Sequence, residues 1–131
     1  MRFPRSGYLA VLSRMSLLTL TTSQEQEGVR VALRGELDLS SALVFDEELK
    51  RIEDNADPST LILDLHELKF MDSTGLRLIL SAHARARRCG RRVRIVLANK
   101  AMRRIFQLTG MLDRLDIVDD GAPDATALKR A

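Results

Sequence analysis

Short aliphatic runs alternate with longer amphipathic segments in the second half of the chain, and this alternation constrains the fold more than any other feature. The runs at 61–65 and 93–97 are rich in Leu, Ile and Val, as is typical of strands buried in a parallel sheet. The two helical segments that follow these runs end near Gly90 and Gly110, and glycine is a common residue after a helix. Strands that alternate with helices require crossover connections between parallel strands. The predicted fold class is therefore α/β.

The first half of the chain adds a hairpin and one more helix. Residues 17–21 and 29–34 have strand character, and the polar segment between them ends in Gly28, which suits a hairpin connection. We therefore predict a single domain with a mostly parallel sheet of four to five strands, an antiparallel first strand, and helices packed against the sheet. The predicted strands are 17–21, 29–34, 61–65, 93–97 and 115–118; the predicted helices begin at Ser40 or Ser41, at about Ser73 and after Asn99, and they end before Asp57, at Arg88 and at about Leu108.

Length and composition limit the number of domains and their surroundings. A chain of 131 residues, 45% of them apolar, has enough material for one core. We expect the domain to cover 17–119, with a disordered extension at 1–16, where Met15 offers an alternative start, and a flexible tail at 120–131. The apolar stretch 76–84 contains Arg77 and is too short to span a membrane. The single cysteine excludes an internal disulfide, and we expect a cytoplasmic protein.

Residues that would support catalysis are few and badly spaced. The seven glycines do not form a phosphate-binding loop. His83 follows Ser73 by ten residues on the same predicted helix, which is about 15 Å along its axis, and His66 is expected in a loop after the third strand. Cys89 and the two histidines are too few for a four-ligand zinc site. We therefore expect no enzyme activity, no cofactor and no metal.

Charged residues are separated by sign along the chain. Residues 36–72 hold eleven acids, whereas residues 73–112 hold ten Lys or Arg and no acid. Such an asymmetry is found on surfaces that bind nucleic acid or an acidic partner, and also on ordinary solvated helices. Aromatic residues for base stacking are not interleaved with the arginines. We therefore expect no direct binding of nucleic acid.

The segment 70–76 is the strongest candidate for a functional site. It leaves a predicted buried strand, presents two hydroxyl groups beside a carboxylate, and enters a helix. We expect Phe70 and Met71 to anchor it in the core, and Gly75 to leave the first helical turn open to a partner that approaches Ser73. A phosphoryl group on Ser73 would add about −1.5 to −2 charge at a helix N-terminus, which tolerates an anion. Asp and Ser are also ordinary helix caps, so a structural role alone explains the same residues.

Four stretches of the sequence resemble those of the STAS-domain anti-sigma-factor antagonists of bacteria. The resemblance extends over about 17–119. Its most specific part is the Asp-Ser-Thr-Gly sequence between a strand and a helix. The matching stretches are 35–38, 61–65, 70–76 and 104–111.

This resemblance implies a switch between binding partners. In that family the unphosphorylated antagonist binds an anti-sigma factor that is a serine kinase, and the sigma factor is released. Phosphorylation of a serine ends this binding, and a PP2C-type phosphatase restores it. The implied acceptor here is Ser73, with Thr74 as the alternative, and Asp72 would orient the hydroxyl. The implied partner-binding residues are Asp38, Asp72, Ser73, Thr74 and Gly75.

STAS domains also act in other settings, which leaves a second function open. Some belong to stress-signalling assemblies or accompany lipid-transport machinery, where they bind partners without being switched by phosphorylation. A separate chain that keeps the acceptor serine favours the antagonist over such a scaffold.

Overall fold

The order of the strands across the sheet is the same as their order along the chain. The computed structural model describes residues 6–10, 17–55 and 59–119, and these form a six-stranded sheet with three helices. The elements are β1 (Ser6–Ala10), β2 (Leu18–Glu25), β3 (Gly28–Leu37), α1 (Ala42–Asn55), β4 (Thr60–Met71), α2 (Ser73–Arg88), β5 (Arg92–Leu97), α3 (Lys100–Leu108) and β6 (Asp116–Asp119). Strands β1 to β3 are antiparallel and β3 to β6 are parallel. The predicted α/β fold is confirmed.

The core lies between one face of this sheet and the three helices. Alternate residues of a strand point to the same face, and β3, β4 and β5 contribute four, five and three apolar side chains, respectively, to a single cluster. Buried aliphatic and aromatic side chains of this kind stabilise a fold by about 1.5–3 kcal/mol each. The largest fully buried side chains include Leu33, Phe45, Leu63, Leu65, Ile79 and Phe106.

Local capping residues set the helix ends where they were predicted. Asn99 precedes α3, and its side-chain oxygen accepts a hydrogen bond from the Met102 amide at 2.8 Å. After α2, Gly90 has a φ of +72°, and the amide of Arg91 donates to the carbonyl of Ala86 at 2.8 Å, which is the Schellman arrangement. No helix in the described part of the chain is long and apolar enough to cross a membrane.

Part of the expected disordered extension forms a strand instead. Residues 6–10 make β1, which pairs antiparallel with residues 19–23 of β2, so the prediction of disorder is wrong for these five residues. Without β1, β2 would be an edge strand with unpaired backbone N–H and C=O groups, to which another segment can pair. The composition of residues 1–16 does not show that such a strand is available. The remainder of 1–16 and the tail at 120–131 lie outside the described residues.

His66 lies within a strand, and the prediction of a loop at this position is wrong. The polar residues after 65 are typical of a loop, but β4 continues to Met71. It pairs with β3 as far as Leu37, with register shifts between Ala32 and Arg34 and between Gly35 and Glu36. These irregularities break the strict alternation on which a strand prediction depends. The longer strand carries residues 70–76 to the carboxyl edge of the sheet.

Candidate functional site

The two predicted acidic site residues leave the sheet side by side. Leu37 of β3 pairs with Met71 of β4, so the next residues, Asp38 and Asp72, begin two neighbouring loops at the carboxyl edge. The amide of Asp72 donates to the carbonyl of Leu37 at 3.2 Å. Ligand and partner sites of open parallel sheets usually lie at this edge.

The Asp72 carboxylate joins these two loops. Its Oδ1 accepts hydrogen bonds from the amides of Thr74 at 2.9 Å and Gly75 at 3.2 Å, which makes Asp72 the N-cap of α2. Its Oδ2 accepts from the amide of Leu39 at 3.2 Å, in the loop between β3 and α1. Among the described residues, no hydrogen bond links this carboxylate to the Ser73 hydroxyl. Asp72 therefore holds the backbone around the serine, and the predicted direct orientation of the hydroxyl is not seen.

Asp38 organises its own loop. Its Oδ1 accepts hydrogen bonds from the amide of Ser40 at 3.0 Å, the hydroxyl of Ser40 at 2.7 Å and the amide of Ser41 at 3.3 Å. The Ser40 hydroxyl, followed by these backbone amides, holds the pKa of the Asp38 carboxyl below its usual value. The loop therefore presents a carboxylate that stays ionised beside the Asp72 turn.

The two hydroxyl groups differ in exposure. Ser73 is the first residue of α2 and is exposed, whereas Thr74 is half-buried. Within the described structure the Ser73 hydroxyl makes no hydrogen bond. Arg77 is also exposed and lies four residues further along α2, where side chains at this spacing are neighbours. Ser73 therefore carries the more accessible of the two hydroxyl groups.

Gly75 faces the core, and the prediction that it leaves the helical turn open to a partner is wrong. It is buried, and a Cβ placed on it would lie 2.7 Å from Cγ of Met71 and 2.8 Å from Cγ of Leu37. Its missing side chain lets α2 pack closely against the ends of β3 and β4. Sequence alone does not distinguish these two uses of a glycine in a first helical turn.

Three apolar residues on the elements around the serine are exposed, and sequence reasoning did not assign two of them, Leu39 and Leu43, to the site. Leu39 is 75% exposed and Leu43, in the first turn of α1, is 67% exposed. Phe70 is 48% exposed and Met71 is buried, so the expectation that both anchor the loop in the core holds only for Met71. The signal for Leu39 was its place between two polar residues of a loop. Of the three, Leu39 is the one tied to the Asp72 turn, through the hydrogen bond of its amide.

The candidate bases predicted from the sequence do not lie beside Ser73 on α2. His83 lies in α2, ten residues from Ser73, as predicted, and is half-buried, and His66 lies in β4. Among the described residues, no group of three or more His, Cys, Asp or Glu is placed to hold a metal ion. The exposed hydroxyl offers one group that a second protein can modify.

Comparison with known proteins agrees with this arrangement. The family model of the STAS domain matches residues 21–122. The anti-sigma-B factor antagonist of Bacillus subtilis is 29% identical over 101 residues, which cover 76% of this chain and 90% of that protein.

Solved structures show the same fold. An anti-sigma factor antagonist from Mycobacterium paratuberculosis superposes with a TM-score of 0.73 at 22% identity, over 90% of this chain and 99% of that one. The Bacillus cell fate determinant SpoIIAA in its phosphorylated form gives a TM-score of 0.60 at 22% identity, over 85% and 97% of the two chains. Since the family model covers most of the chain, the protein belongs to the STAS domain family, with anti-sigma factor antagonists among its relatives.

Proposed function

We propose that this protein is an anti-sigma-factor antagonist whose binding is switched by phosphorylation of Ser73. In the unphosphorylated state it binds an anti-sigma factor that is also a serine kinase, and the sigma factor is released in the bacterial cytoplasm. Phosphorylation by the bound kinase ends the interaction, and a PP2C-type phosphatase restores it. The protein itself acts by binding and not by catalysis.

The observation that carries this proposal is the state of Ser73. Its side chain is exposed at the first position of a capped helix, so a kinase can reach the hydroxyl without unfolding the domain. The cap is held by Asp72, and the backbone therefore stays in place when the side chain is modified. SpoIIAA, which has the same fold, has been solved in its phosphorylated form. This supports the proposal that such a domain can carry a phosphoryl group.

The apolar surroundings explain why phosphorylation would end binding. Leu39 is exposed and its amide is hydrogen-bonded to Asp72, so a partner that covers Leu39 removes water from the area around Ser73. A dianion formed within such an interface loses its hydration and lies near the carboxylates of Asp38 and Asp72. Charges that are desolvated without a matching partner weaken a complex by several kcal/mol.

The fold itself tolerates the modification. The amino terminus of α2 favours an anion by about 0.3–1 kcal/mol, and Arg77 lies one helical turn away on the same helix. Phosphorylation therefore changes the surface of the domain while the core stays intact.

The covalent step follows ordinary phosphoryl transfer. Oγ of Ser73 attacks the γ-phosphorus of ATP in the kinase, the new O–P bond forms, and the bond to the bridging oxygen breaks. ADP leaves, and the hydroxyl proton passes to a base of the kinase. In this proposal the antagonist contributes only the oxygen.

The test is the intact mass of the protein after incubation with its anti-sigma kinase and ATP. We expect the wild type and Thr74→Val to gain one phosphoryl group and Ser73→Ala to gain none. Ser81→Ala is the matched control, because Ser81 is an exposed serine elsewhere on α2. A gain by Ser73→Ala that Thr74→Val abolishes would move the acceptor to Thr74.

Binding of the kinase completes the test. We expect Ser73→Ala to bind as tightly as the unphosphorylated wild type and Ser73→Asp to bind at least about tenfold more weakly, or about 1.4 kcal/mol. Equal binding by both variants, without phosphorylation of the wild type, would favour a scaffold that is not switched.

A further inference from the structure

A second concave site lies at the end of α2 opposite to Ser73. It is a cavity of about 270 Å³ between the last turns of α1 and α2 and the beginnings of β4 and β5. The lining residues on and just after α2 run from Ala82 to Cys89, so they lie about 13–24 Å from Ser73 along the helix axis. The cavity is thus distinct from the surface proposed to bind the kinase.

The floor of this cavity is apolar. Leu61, Ala82, Ala86 and Val93 line it, and all four are buried. The small alanine side chains leave the space that larger residues would fill. A floor of this kind favours the apolar part of a ligand.

The rim of the cavity is basic. Four arginines line it, Arg85, Arg88, Arg91 and Arg92, together with the acids Glu53 and Asp54, so the six side chains sum to a charge of +2. Arg85 is held by Glu53, with donor–acceptor distances of 3.0 and 2.9 Å, and this pair forms a fixed wall.

Two of these arginines keep their hydrogen-bond donors available. Arg88 and Arg92 are exposed, and neither side chain makes a hydrogen bond or an ion pair within the described part of the chain. Basic residues near the end of a helix also offset the helix dipole, which explains Arg88. The helix dipole does not explain Arg92, which begins β5. The Ala86 carbonyl at the helix end also needs no arginine side chain, because it already accepts hydrogen bonds from the amides of Cys89 and Arg91.

We infer that this cavity binds a small phosphomonoester with an apolar body. The apolar body lies on the Ala82–Ala86 floor, and the phosphate accepts hydrogen bonds from the guanidinium groups of Arg88 and Arg92. A dianion matches the net charge of the rim, and guanidinium groups bind phosphate through paired hydrogen bonds. The site also assigns a role to four arginines of the acid-free basic stretch at 73–112, which the proposed phosphorylation switch does not explain.

Cys89 provides a built-in reporter of this cavity. It is exposed, lines the rim and is the only cysteine of the chain. The experiment measures the rate at which iodoacetamide alkylates Cys89 in the full chain while phenyl phosphate is added. Each protein is compared with its own rate without ligand, because loss of an arginine also changes the reactivity of the thiol.

The matched variants remove the same charge at different places. Arg88→Gln with Arg92→Gln removes the two available guanidinium groups. The control, Arg87→Gln with Arg104→Gln, removes two exposed arginines that do not line the cavity. Circular dichroism checks that both doubly substituted proteins are folded.

We expect phenyl phosphate to slow alkylation of the wild type and of the control in a saturable manner. The cavity variant should need at least about tenfold more ligand, because bonds to charged groups are lost. Inorganic phosphate and benzyl alcohol should each protect less well than phenyl phosphate.

Three results with these small ligands would overturn the inference. They are no protection of the wild type, equal weakening in both double variants, and equal protection by inorganic phosphate, which would show that the floor contributes nothing. Stronger protection by duplex DNA than by phenyl phosphate would also overturn it and would assign the basic surface to nucleic acid.

Discussion

The third residue of α2 has no side chain because the core beneath it has no room for one. A methyl group on Gly75 would lie within 3 Å of both Leu37 and Met71. The helix can therefore approach β3 and β4 closely, and this approach sets the height at which Ser73 stands above the sheet edge. A glycine placed in this way would affect the proposed switch through the packing of α2.

Gly75→Ala tests this packing role. Alanine favours a helix over glycine by about 1 kcal/mol, but overpacking of a core costs about 1–3 kcal/mol. We expect a net loss of about 1 kcal/mol in the free energy of unfolding, measured by urea denaturation, against Ser81→Ala as control. Unchanged stability together with weaker kinase binding would show instead that a partner approaches the protein over Gly75.

Asp38 makes part of the loop stability depend on pH. Its pKa is lowered in the folded protein, first by the Ser40 hydroxyl and then by backbone amides. A lowered folded pKa gives stability that is complete above the unfolded value of about 3.9 and is lost as the pH falls through the folded value. We expect Ser40→Ala to raise the pKa of Asp38 toward its usual value in a carboxyl-carbon NMR titration. An unchanged titration would assign the shift to the amides alone.

At the scale of elements, a buried carboxylate connects α1 to β2. Glu48 is almost fully buried, and its Oε2 accepts a hydrogen bond from the Thr22 hydroxyl at 2.6 Å. Arg51, one turn further along α1, donates to both carboxylate oxygens at 2.9 and 2.8 Å. A buried charge needs such partners, so these contacts fix the position of α1 on the sheet next to the Leu39 loop.

A double-mutant cycle tests this connection. Thr22→Val alone should cost about 1–3 kcal/mol, because a buried acceptor loses a partner. Glu48→Met alone leaves the Thr22 hydroxyl without its acceptor, whereas Arg51, which is exposed, regains water. We expect the double variant to be more stable than the sum of the single changes predicts, by about 1 kcal/mol in urea denaturation. Strict additivity would mean that the two side chains are not coupled.

Features set by local chemistry could be predicted from the sequence, and features set by distant pairing could not. The start of α3 at Asn99 and the stop of α2 near Gly90 depend on neighbours in the chain, and both predictions are confirmed. The strand position of His66 and the exposure of Phe70 depend on how far β3 pairs with β4, which no local pattern encodes. The same holds at the site. The strand-to-helix turn before Ser73 was predictable, whereas the hydrogen bond from Leu39 to Asp72 joins residues 33 positions apart.

For the whole molecule, β1 decides which strand forms the edge of the sheet. With β1 in place, residues 19–23 of β2 are paired on that side, and without it β2 becomes the edge. We expect a chain that begins at Met15 to keep its fold, because β2 to β6 and the core cluster remain. In hydrogen exchange, about half of the amides at 19–23 should lose protection, and those of β4 and β5 should keep theirs.

A substitution in the full chain distinguishes the effect of losing β1 pairing from the effect of shortening the chain. Tyr8→Pro removes a backbone donor in the middle of β1 and opposes strand pairing. It should expose the same β2 amides as the shorter chain does. Full protection of 19–23 in both proteins would show that β1 does not contribute to the sheet.

The agreement between strand order and chain order also bears on how the protein is made. Each strand pairs with the one synthesised just before it, so a chain leaving the ribosome can extend its sheet one strand at a time from the amino-terminal side. The Ser73 turn is completed once α2 has emerged, but β5, α3 and β6 are needed to cover the growing edge and the rest of the core. A nascent chain that stalls at that point presents the proposed phosphorylation site on an incomplete domain. Only a kinase that recognises the finished surface would distinguish the incomplete domain from the complete one.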